Sequence, residues 1–386
     1  MGSVEEMSGE ERPVEHRPLR VATLFSGVGA FEQALKQMGV NHRIVFACDN
    51  GERYLKTTQA EIVEATRGYG QKQIEAYVKA LYDKTKKPNR VKESYFANYD
   101  IDESRWYDDV RFMDGTQFAN KVDILVGGSP CQSFSTYGKK LGLEDTRGTL
   151  FYDYARMVRD VNPKVFVFEN VKGLLIHDNG KTWETIRAVF EELNYEIGVP
   201  QVLNAKDYGL PQSRRRLFVV GIRKDLNRPM FQYPAKIDLG KVTARDYLTP
   251  DDKVPLKYFL PVMGFRWTTE KDRNQNKARI NRDIIGCQTA TQQFNWSGDF
   301  RFCPPQPRFD GHLEIHIGEY GGERGAVRKL TPEECFRLMG FENFKIVVDD
   351  KTAYRQAGNS IAVPVMKALT REILAQVFPN RDFAAV

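Results

Sequence analysis

A short apolar segment that ends in two glycines and leads into one cysteine constrains this chain more than any other feature. The stretch is residues 123–136, DILVGGSPCQSFST, and its apolar run at 124–126 has the length and β-branched content of a buried strand. The two glycines end that strand, and the fixed φ of Pro130 restricts how the chain presents Cys131. A cysteine in this setting is more often a packing residue than a nucleophile, so its role depends on what the rest of the chain supplies.

Composition limits the class of protein. A chain of 386 residues with 41% hydrophobic content buries a large core and is expected to form two domains. It has no apolar run near the roughly 18 residues that span a bilayer, so we expect a cytoplasmic, nucleoid-associated protein. Residues 1–18 are polar and are expected to form a disordered tail. The net charge of +6 is compatible with a polyanionic partner without requiring one.

The cysteines and histidines predict neither disulfides nor a metal site. The five cysteines are spread too widely for a disulfide framework or for zinc-ligand spacing, which fits a reducing compartment. The five histidines form no ligand cluster. We therefore expect no bound metal.

The first part of the chain has the pattern of a strand, a glycine turn and a helix. Residues 19–25, LRVATLF, form an apolar run that ends in a turn containing Gly27 and Gly29, and a second strand at 43–49 delivers Asp49. Asp49 follows Gly27 by 22 residues, about where a nucleotide-binding β-α-β unit places its ribose-binding acid. Because the phosphate fingerprint GxGxxG is missing, the pattern favours a nucleoside ligand without a pyrophosphate, such as S-adenosylmethionine.

Three segments on either side of the cysteine strand have different patterns. Residues 52–105 are mostly helical in pattern, and we interpret them as a solvated helical insertion without an assigned task. Asp108 and Asp109 then end a short strand, where an acid suits the amino group of an adenine. Beyond Cys131, the glycine- and lysine-rich residues 135–148 predict a mobile loop with the character of a lid.

The α/β pattern continues after that loop. A strand at 164–170, KVFVFEN, places Glu169 near the carboxyl edge of a parallel sheet, where such sheets bind ligands. The alternative is a solvated loop acid. Strands are predicted at 197–203 and 217–222, and QSRRR at 212–216 precedes the second of them. Three arginines that enter an apolar strand need anions or carbonyl groups as partners.

From about residue 225 to 327 the α/β pattern fails. Residues 265–282 carry six basic and two acidic residues with aromatic and amide side chains between them. This mixture suits phosphate contacts, base-edge hydrogen bonds and insertion into a base stack, although a charged solvated surface has a similar composition. Helices predicted at 331–339 and 360–377 rejoin the first domain.

Taken together, the motifs resemble those of the DNA cytosine-C5 methyltransferase family of bacteria and phages, in the family's order. FSGVGAF at 25–31 is similar to its cofactor motif, GGSPCQSFS to its nucleophile motif, ENV at 169–171 to its acid motif, and QSRRR to its Gln-x-Arg-x-Arg motif. RKLTPEECFRLMGF and AGNSIAVPV resemble the last two motifs. The resemblance implies an α/β fold: the mixed, Rossmann-like sheet of S-adenosylmethionine-dependent methyltransferases with a smaller, loop-rich target-recognition domain. The catalytic domain would comprise residues 19–224 and 328–386, and the target-recognition domain residues 225–327.

The resemblance also implies a function, the methylation of a flipped-out cytosine at C5 in a specific duplex DNA sequence, through a covalent bond between Cys131 and C6. Glu169 is expected to hold N3 and the exocyclic amine, Arg216 to bind O2, and Arg214 to brace the loop. The implied cofactor is S-adenosyl-L-methionine, with S-adenosyl-L-homocysteine as product. Its expected contacts are Phe25, Ser26, Gly27, Val28, Gly29, Asp49, Asp109, Pro130, Leu150, Asn359 and Ser360. The expected DNA contacts are Gln132, Ser135, Tyr137, Lys139, Arg147, Gln212 and Thr289.

The expected partner is double-stranded DNA, bound by a monomer, and a cognate restriction endonuclease is a further candidate partner. Two alternatives stay open: a tRNA cytosine-C5 methyltransferase, which shares the chemistry, and a catalytically inactive DNA-binding protein of the same fold. The long basic segment and the GSPCQ motif argue against the first, and the presence of Cys131 and Glu169 argues against the second. The sequence departs from the family at Ser129, where phenylalanine is frequent, and at Asp49, where glutamate is usual.

Overall fold

The computed structural model describes residues 17–129, 150–238, 240–270, 278–291, 293–294, 296–381 and 383. Within these residues, the fold is built around one large sheet whose central strands are buried. Its strands are β1 (Leu19–Leu24), β2 (His42–Cys48), β3 (Trp106–Tyr107), β4 (Ile124–Gly127), β5 (Val165–Val171), β6 (Tyr195–Ile197), β7 (Gln201–Asn204) and β8 (Arg215–Arg223).

The large sheet is mixed, and its strand order is β3-β2-β1-β4-β5-β8-β6, with β7 also paired to β8. The first five strands of this order are parallel, whereas β8 runs antiparallel to β5, β6 and β7. The carboxyl ends of β1 to β5 therefore meet at one edge, and the amino end of β8 arrives at the same edge. Ligands bind at this edge in open α/β sheets.

The helices of the described residues are α1 (Ala30–Gln37), α2 (Gln59–Ala65), α3 (Gln71–Lys84), α4 (Arg90–Asn98), α5 (Leu150–Val161), α6 (Lys181–Glu192), α7 (Val262–Thr269), α8 (Pro332–Arg337), α9 (Asp350–Asn359) and α10 (Val363–Val377). They cover both faces of the sheet: α1 and α10 belong to the core of one face, and α5 and α6 to the core of the other. In α5, the buried residues Phe151, Tyr154, Ala155 and Val158 occupy positions i, i+3, i+4 and i+7, which puts them on one side of the helix.

A second, smaller sheet follows in the chain. Its strands are β9 (Ala278–Ile280), β10 (Gly298–Cys303), β11 (Ile317–Tyr320) and β12 (Glu323–Lys329), in the order β11-β12-β10-β9. Phe265, Phe300 and Phe302 pack in its own core. The buried ion pair between Arg328 on β12 and Glu334 on α8, at 2.9 Å, ties this sheet to the segment that completes the large core.

The predicted α/β architecture with a mixed sheet is confirmed. The single strand predicted at 197–203 is wrong, because Gly198 and Pro200 separate β6 from β7 and a proline cannot donate to a ladder. The helix predicted at 360–377 begins later, at Val363, since α9 occupies the chain up to Asn359. No helix in the described ranges is both long and apolar enough to cross a bilayer.

Candidate active site

A carboxylate and a guanidinium meet at the edge where the parallel strands end. Glu169 lies near the end of β5, and Arg216 lies on β8 in register with Val171. Because alternate residues of a strand share a face, Glu169 and Arg216 come together, and Nε of Arg216 lies 3.3 Å from Oε1 of Glu169. On the other side, a Cβ added to Gly128 would lie 2.8 Å from Oε2 of Glu169. The glycine that follows β4 therefore makes room for the carboxylate.

The environment of Glu169 changes its acidity. Burial raises the pKa of Glu169, and the positive charges of Arg216 and Arg214 oppose that rise. The Glu169 side chain is 14% exposed, so its carboxyl group remains accessible to a ligand. A carboxyl group with a raised pKa at an open sheet edge is a candidate proton donor.

The end of β4 is fastened to the end of β5 by a side chain. Nδ2 of Asn170 donates a hydrogen bond of 3.0 Å to the carbonyl oxygen of Ser129. Cys131 comes two residues after Ser129 in the chain. This contact fastens Ser129, the last described residue before Cys131, to the end of β5 beside Glu169.

Several predicted site residues lie outside the described residues. These are Pro130, Cys131, Gln132, Ser135, Tyr137, Lys139 and Arg147. Their predicted roles therefore stay predictions.

Arg214 is buried and held by backbone carbonyl groups. Its Nη1 donates to the carbonyl of Gln288 at 2.8 Å, and its Nη2 donates to those of Gly358 at 3.0 Å and Ser360 at 2.5 Å. Burial and the neighbouring charge of Arg216 lower the pKa of Arg214 to about 10. Arg214 thus joins the start of β8 to the segment before β10 and to the C-terminal end of α9. The role predicted for it, bracing the loop beyond Cys131, stays a prediction because that loop lies outside the described residues.

A cysteine that the sequence did not single out lies between the two arginines. Sγ of Cys287 is 3.4 Å from Nη1 of Arg214 and 3.8 Å from Nη1 of Arg216. Cys287 is separated from β8 by more than 60 residues, so no local sequence pattern predicts its contacts with the two arginines.

Gln212 and Thr289, two predicted DNA contacts, lie in different environments. Gln212 is fully buried, its amide nitrogen donates to the carbonyl of Leu338 at 2.7 Å, and its amide oxygen accepts from the N–H of Gln288 at 3.1 Å. This geometry favours a bracing role for Gln212. Thr289 is exposed, and its backbone packs so closely on Gly358 that a Cβ there would lie 2.4 Å from the Thr289 carbonyl carbon.

The predicted cofactor acid holds the glycine turn. Asp49 follows β2, and its Oδ2 and Oδ1 accept hydrogen bonds from the N–H groups of Gly27 at 2.9 Å and Gly51 at 2.8 Å. Burial raises the pKa of Asp49, and these two hydrogen bonds oppose the rise. Gly27 has a φ of +52°, and a Cβ there would meet nothing within 4 Å. The backbone at Gly27 therefore faces open space that a ligand can occupy.

The remaining residues of this turn are fixed by the surrounding structure. The hydroxyl of Ser26 accepts a hydrogen bond of 3.0 Å from the last N–H of β2. Phe25 has a φ of 54° and packs against the core below the turn. The carbonyl groups of Val28 and Gly29 accept hydrogen bonds from the hydroxyl of Tyr99 at 3.1 and 2.7 Å. Tyr99 follows α4, so a predicted insertion residue shapes the start of α1.

Three other predicted cofactor contacts are placed around this edge. Asp109 follows β3 and is almost fully buried. Leu150 is the half-buried first residue of α5. Asn359 donates to Oε1 of Glu52 at 2.6 Å, and Arg355 forms an ion pair with the other oxygen of Glu52. The loop after β2 is thereby fastened to α9.

Most of the chain matches one family model. Residues 60–375 match the model of the C-5 cytosine-specific DNA methylase. The Type II methyltransferase M.Eco47II of Escherichia coli is 53% identical over 287 residues, which are 69% of this chain and 67% of that protein. The Type II methyltransferase M.HpaII of Haemophilus parainfluenzae is 36% identical over 303 residues, 75% of this chain and 81% of that protein.

Solved structures share the fold. A DNMT2 variant of Spodoptera frugiperda superposes with a TM-score of 0.62 at 18% identity, covering 92% of this chain and 99% of that one. The methyltransferase EhMeth of Entamoeba histolytica gives a TM-score of 0.60 at 16% identity, covering 93% and 98%. At these identities the likeness concerns the fold alone.

Proposed function

This chain belongs to the family of C-5 cytosine-specific DNA methylases and is a DNA cytosine-C5 methyltransferase, and from that premise we propose how its residues carry the reaction. The observation that supports the proposal is the contact between Glu169 and Arg216 beside the end of β4. A proton donor and a cation lie together where the chain continues towards Cys131.

We propose S-adenosylmethionine as the methyl donor, held by the turn at Gly27 and by Asp49. The proposed ligand is a nucleoside without phosphates, and the open space in front of Gly27 lets it approach the backbone. A carboxylate has about four lone-pair sites. The N–H groups of Gly27 and Gly51 use two of them, so Asp49 keeps acceptor capacity for ribose hydroxyl groups. When bound, S-adenosylmethionine supplies a methyl group made electrophilic by its sulfonium.

The thiolate of Cys131 is the proposed nucleophile. C5 of cytosine is itself a poor nucleophile, so the ring must be activated first. A bond from Sγ to C6 moves the electrons of the C5–C6 double bond towards C5, which then accepts the methyl group. The methyl carbon bonds to C5 as its bond to sulfur breaks, which leaves S-adenosylhomocysteine. A water molecule then takes the C5 proton, and the electrons of the C5–H bond re-form the C5–C6 double bond as Sγ departs from C6 as the free thiolate.

Glu169 and Arg216 stabilise the charge that this addition creates. Glu169 is proposed to donate a hydrogen bond or proton to N3, and Arg216 to hold O2 of the ring. The raised pKa of Glu169 increases its protonated fraction, which suits a donor. The same contacts select cytosine, since uracil presents the opposite donor and acceptor at N3 and C4.

The proposed substrate is a cytosine swung out of duplex DNA, at a cost of a few kcal/mol of lost stacking and pairing. Contacts with DNA are proposed for Gln132, Ser135, Tyr137, Lys139 and Arg147, which lie outside the described residues, and for the exposed Thr289. Phosphate contacts from the basic members should make DNA affinity fall steeply with salt.

The nucleophile is tested with duplex DNA that carries 5-fluorocytosine at the target, because a fluorine at C5 cannot leave as a proton does. A covalent protein–DNA adduct should accumulate with the wild type and with Cys287→Ala, the matched thiol variant beside Arg216, and should be absent with Cys131→Ala. An adduct that persists in Cys131→Ala and disappears in Cys287→Ala contradicts the assignment.

The substrate class is tested by transfer of labelled methyl groups to duplex DNA and to tRNA in parallel. Labelling of DNA is expected. Labelling of tRNA alone would overturn the proposed DNA substrate in favour of a tRNA cytosine-C5 methyltransferase with the same chemistry.

A further inference from the structure

The helices α2 and α3, to which the sequence assigns no task, pack directly on the segment that follows β3. Ile62 of α2 and Val78 and Tyr82 of α3 share a buried apolar cluster with Phe112. Nε2 of Gln71, at the start of α3, donates a hydrogen bond of 2.7 Å to the carbonyl of Phe112. The insertion therefore packs on the segment that contains Asp108 and Asp109, and the prediction of a solvated insertion is wrong for this side of α2 and α3.

One buried tyrosine of the insertion is bonded to an acid of this edge. The hydroxyl of Tyr82 donates a hydrogen bond of 2.8 Å to Oδ2 of Asp109, and the Tyr82 side chain is 1% exposed. The same carboxylate receives Nη2 of Arg111 at 2.6 Å. Since both partners are donors, they hold Asp109 as an acceptor in one orientation.

One arginine of the insertion connects Tyr82 to the neighbouring acid. The guanidinium of Arg53 lies over the Tyr82 ring, with its central carbon 4.4 Å from the ring centroid. Its Nη2 lies 2.6 Å from Oδ1 of Asp108, and its Nε donates to the carbonyl of Asn50 at 2.9 Å. Arg53 is 7% exposed, and ion pairs between largely buried groups are costly to break from one side.

An asparagine at the start of α4 joins the two loops. Nδ2 of Asn89 donates to the carbonyl of Asp49 at 2.8 Å and to Oδ1 of Asp108 at 2.9 Å. A Cβ added to Gly51 would lie 2.2 Å from Oδ1 of Asn89. The loop after β2 and the loop after β3 are therefore held against each other by the insertion.

The charges at this edge explain why such support matters. Asp49, Asp108 and Asp109 lie at the ends of the adjacent strands β2 and β3, and carboxylates in close proximity repel one another. The pKa of Asp49 is raised first by burial, and the charges of Glu52 and Asp108 raise it further. The cation of Arg53 offsets part of this repulsion.

We propose that the insertion is a positioning element of the methyl-donor site, in which Tyr82 orients Asp109 and Arg53 fixes Asp108 against the loop that carries Asp49. This inference rests on the proposed binding of S-adenosylmethionine at that edge. Neither Tyr82 nor Arg53 touches the ligand in this arrangement. Tyr82 acts through Asp109, a predicted ligand contact, and Arg53 acts through Asp108, which Asn89 joins to the backbone of Asp49.

The first test removes one oxygen atom from the buried tyrosine. Tyr82→Phe keeps the aromatic packing but loses the hydrogen bond to Asp109. The matched control is Tyr77→Phe, because Tyr77 packs against the same cluster and its hydroxyl makes no hydrogen bond among the described residues. Affinity for S-adenosylhomocysteine is measured by titration calorimetry, beside the melting temperature. Tyr82→Phe should weaken the affinity about fivefold to tenfold, and Tyr77→Phe should leave it unchanged.

The second test separates charge from shape at Arg53. Arg53→Gln should raise the KM for S-adenosylmethionine by at least about tenfold, with kcat and the KM for DNA unchanged, and Arg53→Lys should restore part of the loss. If Tyr82→Phe and Arg53→Gln lower the melting temperature but bind S-adenosylhomocysteine as tightly as the wild type, the insertion is merely structural and the inference is overturned. If the wild type itself binds no S-adenosylhomocysteine, the proposed cofactor fails instead.

Discussion

The side-chain amide of Asn170 donates a hydrogen bond of 3.0 Å to the carbonyl oxygen of Ser129, two residues before Cys131. The Oδ1 of the same side chain accepts from the N–H of Val171 at 2.9 Å, so both ends of the amide are used. The residue after the proposed acid thus fixes the chain that leads to the proposed nucleophile.

Removal of this anchor should affect turnover more than binding. Asn170→Ala leaves the buried carbonyl of Ser129 without its donor, which costs about 1–3 kcal/mol of unfolding free energy. We expect kcat to fall about 10-fold to 100-fold while DNA affinity changes little, because a misplaced nucleophile loses near-attack geometry. Asn98→Ala is the control, since Asn98 also bridges backbone groups but lies away from the site. A normal kcat in Asn170→Ala would refute the anchoring role.

Glu169→Gln should remove most of the activity while preserving the fold. The amide keeps the size of the side chain but cannot give up a proton, and loss of a positioned acid costs about 10²-fold to 10⁴-fold in rate. Methyl transfer under saturating DNA and S-adenosylmethionine measures the effect. Retention of more than about a tenth of the wild-type kcat would exclude Glu169 as the proton donor.

The pH dependence of kcat/KM should have a descending alkaline limb that belongs to Glu169. Burial raises the pKa of Glu169, so the protonated form persists to a higher pH than for an ordinary glutamate and is lost as the pH rises through that value. The thiolate of Cys131 has the opposite dependence, because it forms as the pH rises. The residual activity of Glu169→Gln should lack the descending limb, and an unchanged limb would assign it to another group.

Arg214 and Arg216 should differ in what their loss affects. Arg214→Lys removes a guanidinium that donates to three backbone carbonyl groups in a buried site, so we expect a loss of about 2–4 kcal/mol in unfolding free energy. Arg216→Lys, at a partly exposed position 3.3 Å from Glu169, should cost less than about 1 kcal/mol but lower kcat strongly. Urea denaturation and methyl transfer measure the two effects. Equal destabilisation by both variants would contradict this division of roles.

Gly358 should tolerate no side chain. A Cβ at this helical position would lie 2.4 Å from the carbonyl carbon of Thr289 and 2.5 Å from the nitrogen of Ala290, so backbone must move. Gly358→Ala is expected to lower the melting temperature, because the backbone must shift to make room for the Cβ. It should also lower the DNA affinity, because the backbone that moves carries Thr289, a proposed DNA contact. Gly173→Ala is the control, because a Cβ at Gly173 would meet nothing within 4 Å.

The local patterns of the sequence anticipated most of the fold around the site. β1, β2, β4 and β5 formed where apolar runs predicted them, and the turn at Gly27 formed before α1. The apolar pattern at residues 197–203 does not form one strand, because Gly198 and Pro200 separate β6 from β7. The sequence pattern also did not show that residues 52–105 pack on the segment after β3. A mostly polar helix with one apolar side has the same pattern whether that side packs on another inserted helix or on a different part of the domain.

By itself, the sequence determined which strands and turns form, and that Asp49 and Glu169 come at strand ends, since periodicity and glycine placement act over a few residues. Only the tertiary structure decided that Arg216 reaches Glu169, because that contact depends on antiparallel pairing between β5 and β8. It likewise decided that Tyr82 meets Asp109, 27 positions further along the chain. Such contacts are set by strand register and helix packing, which no short window of residues encodes.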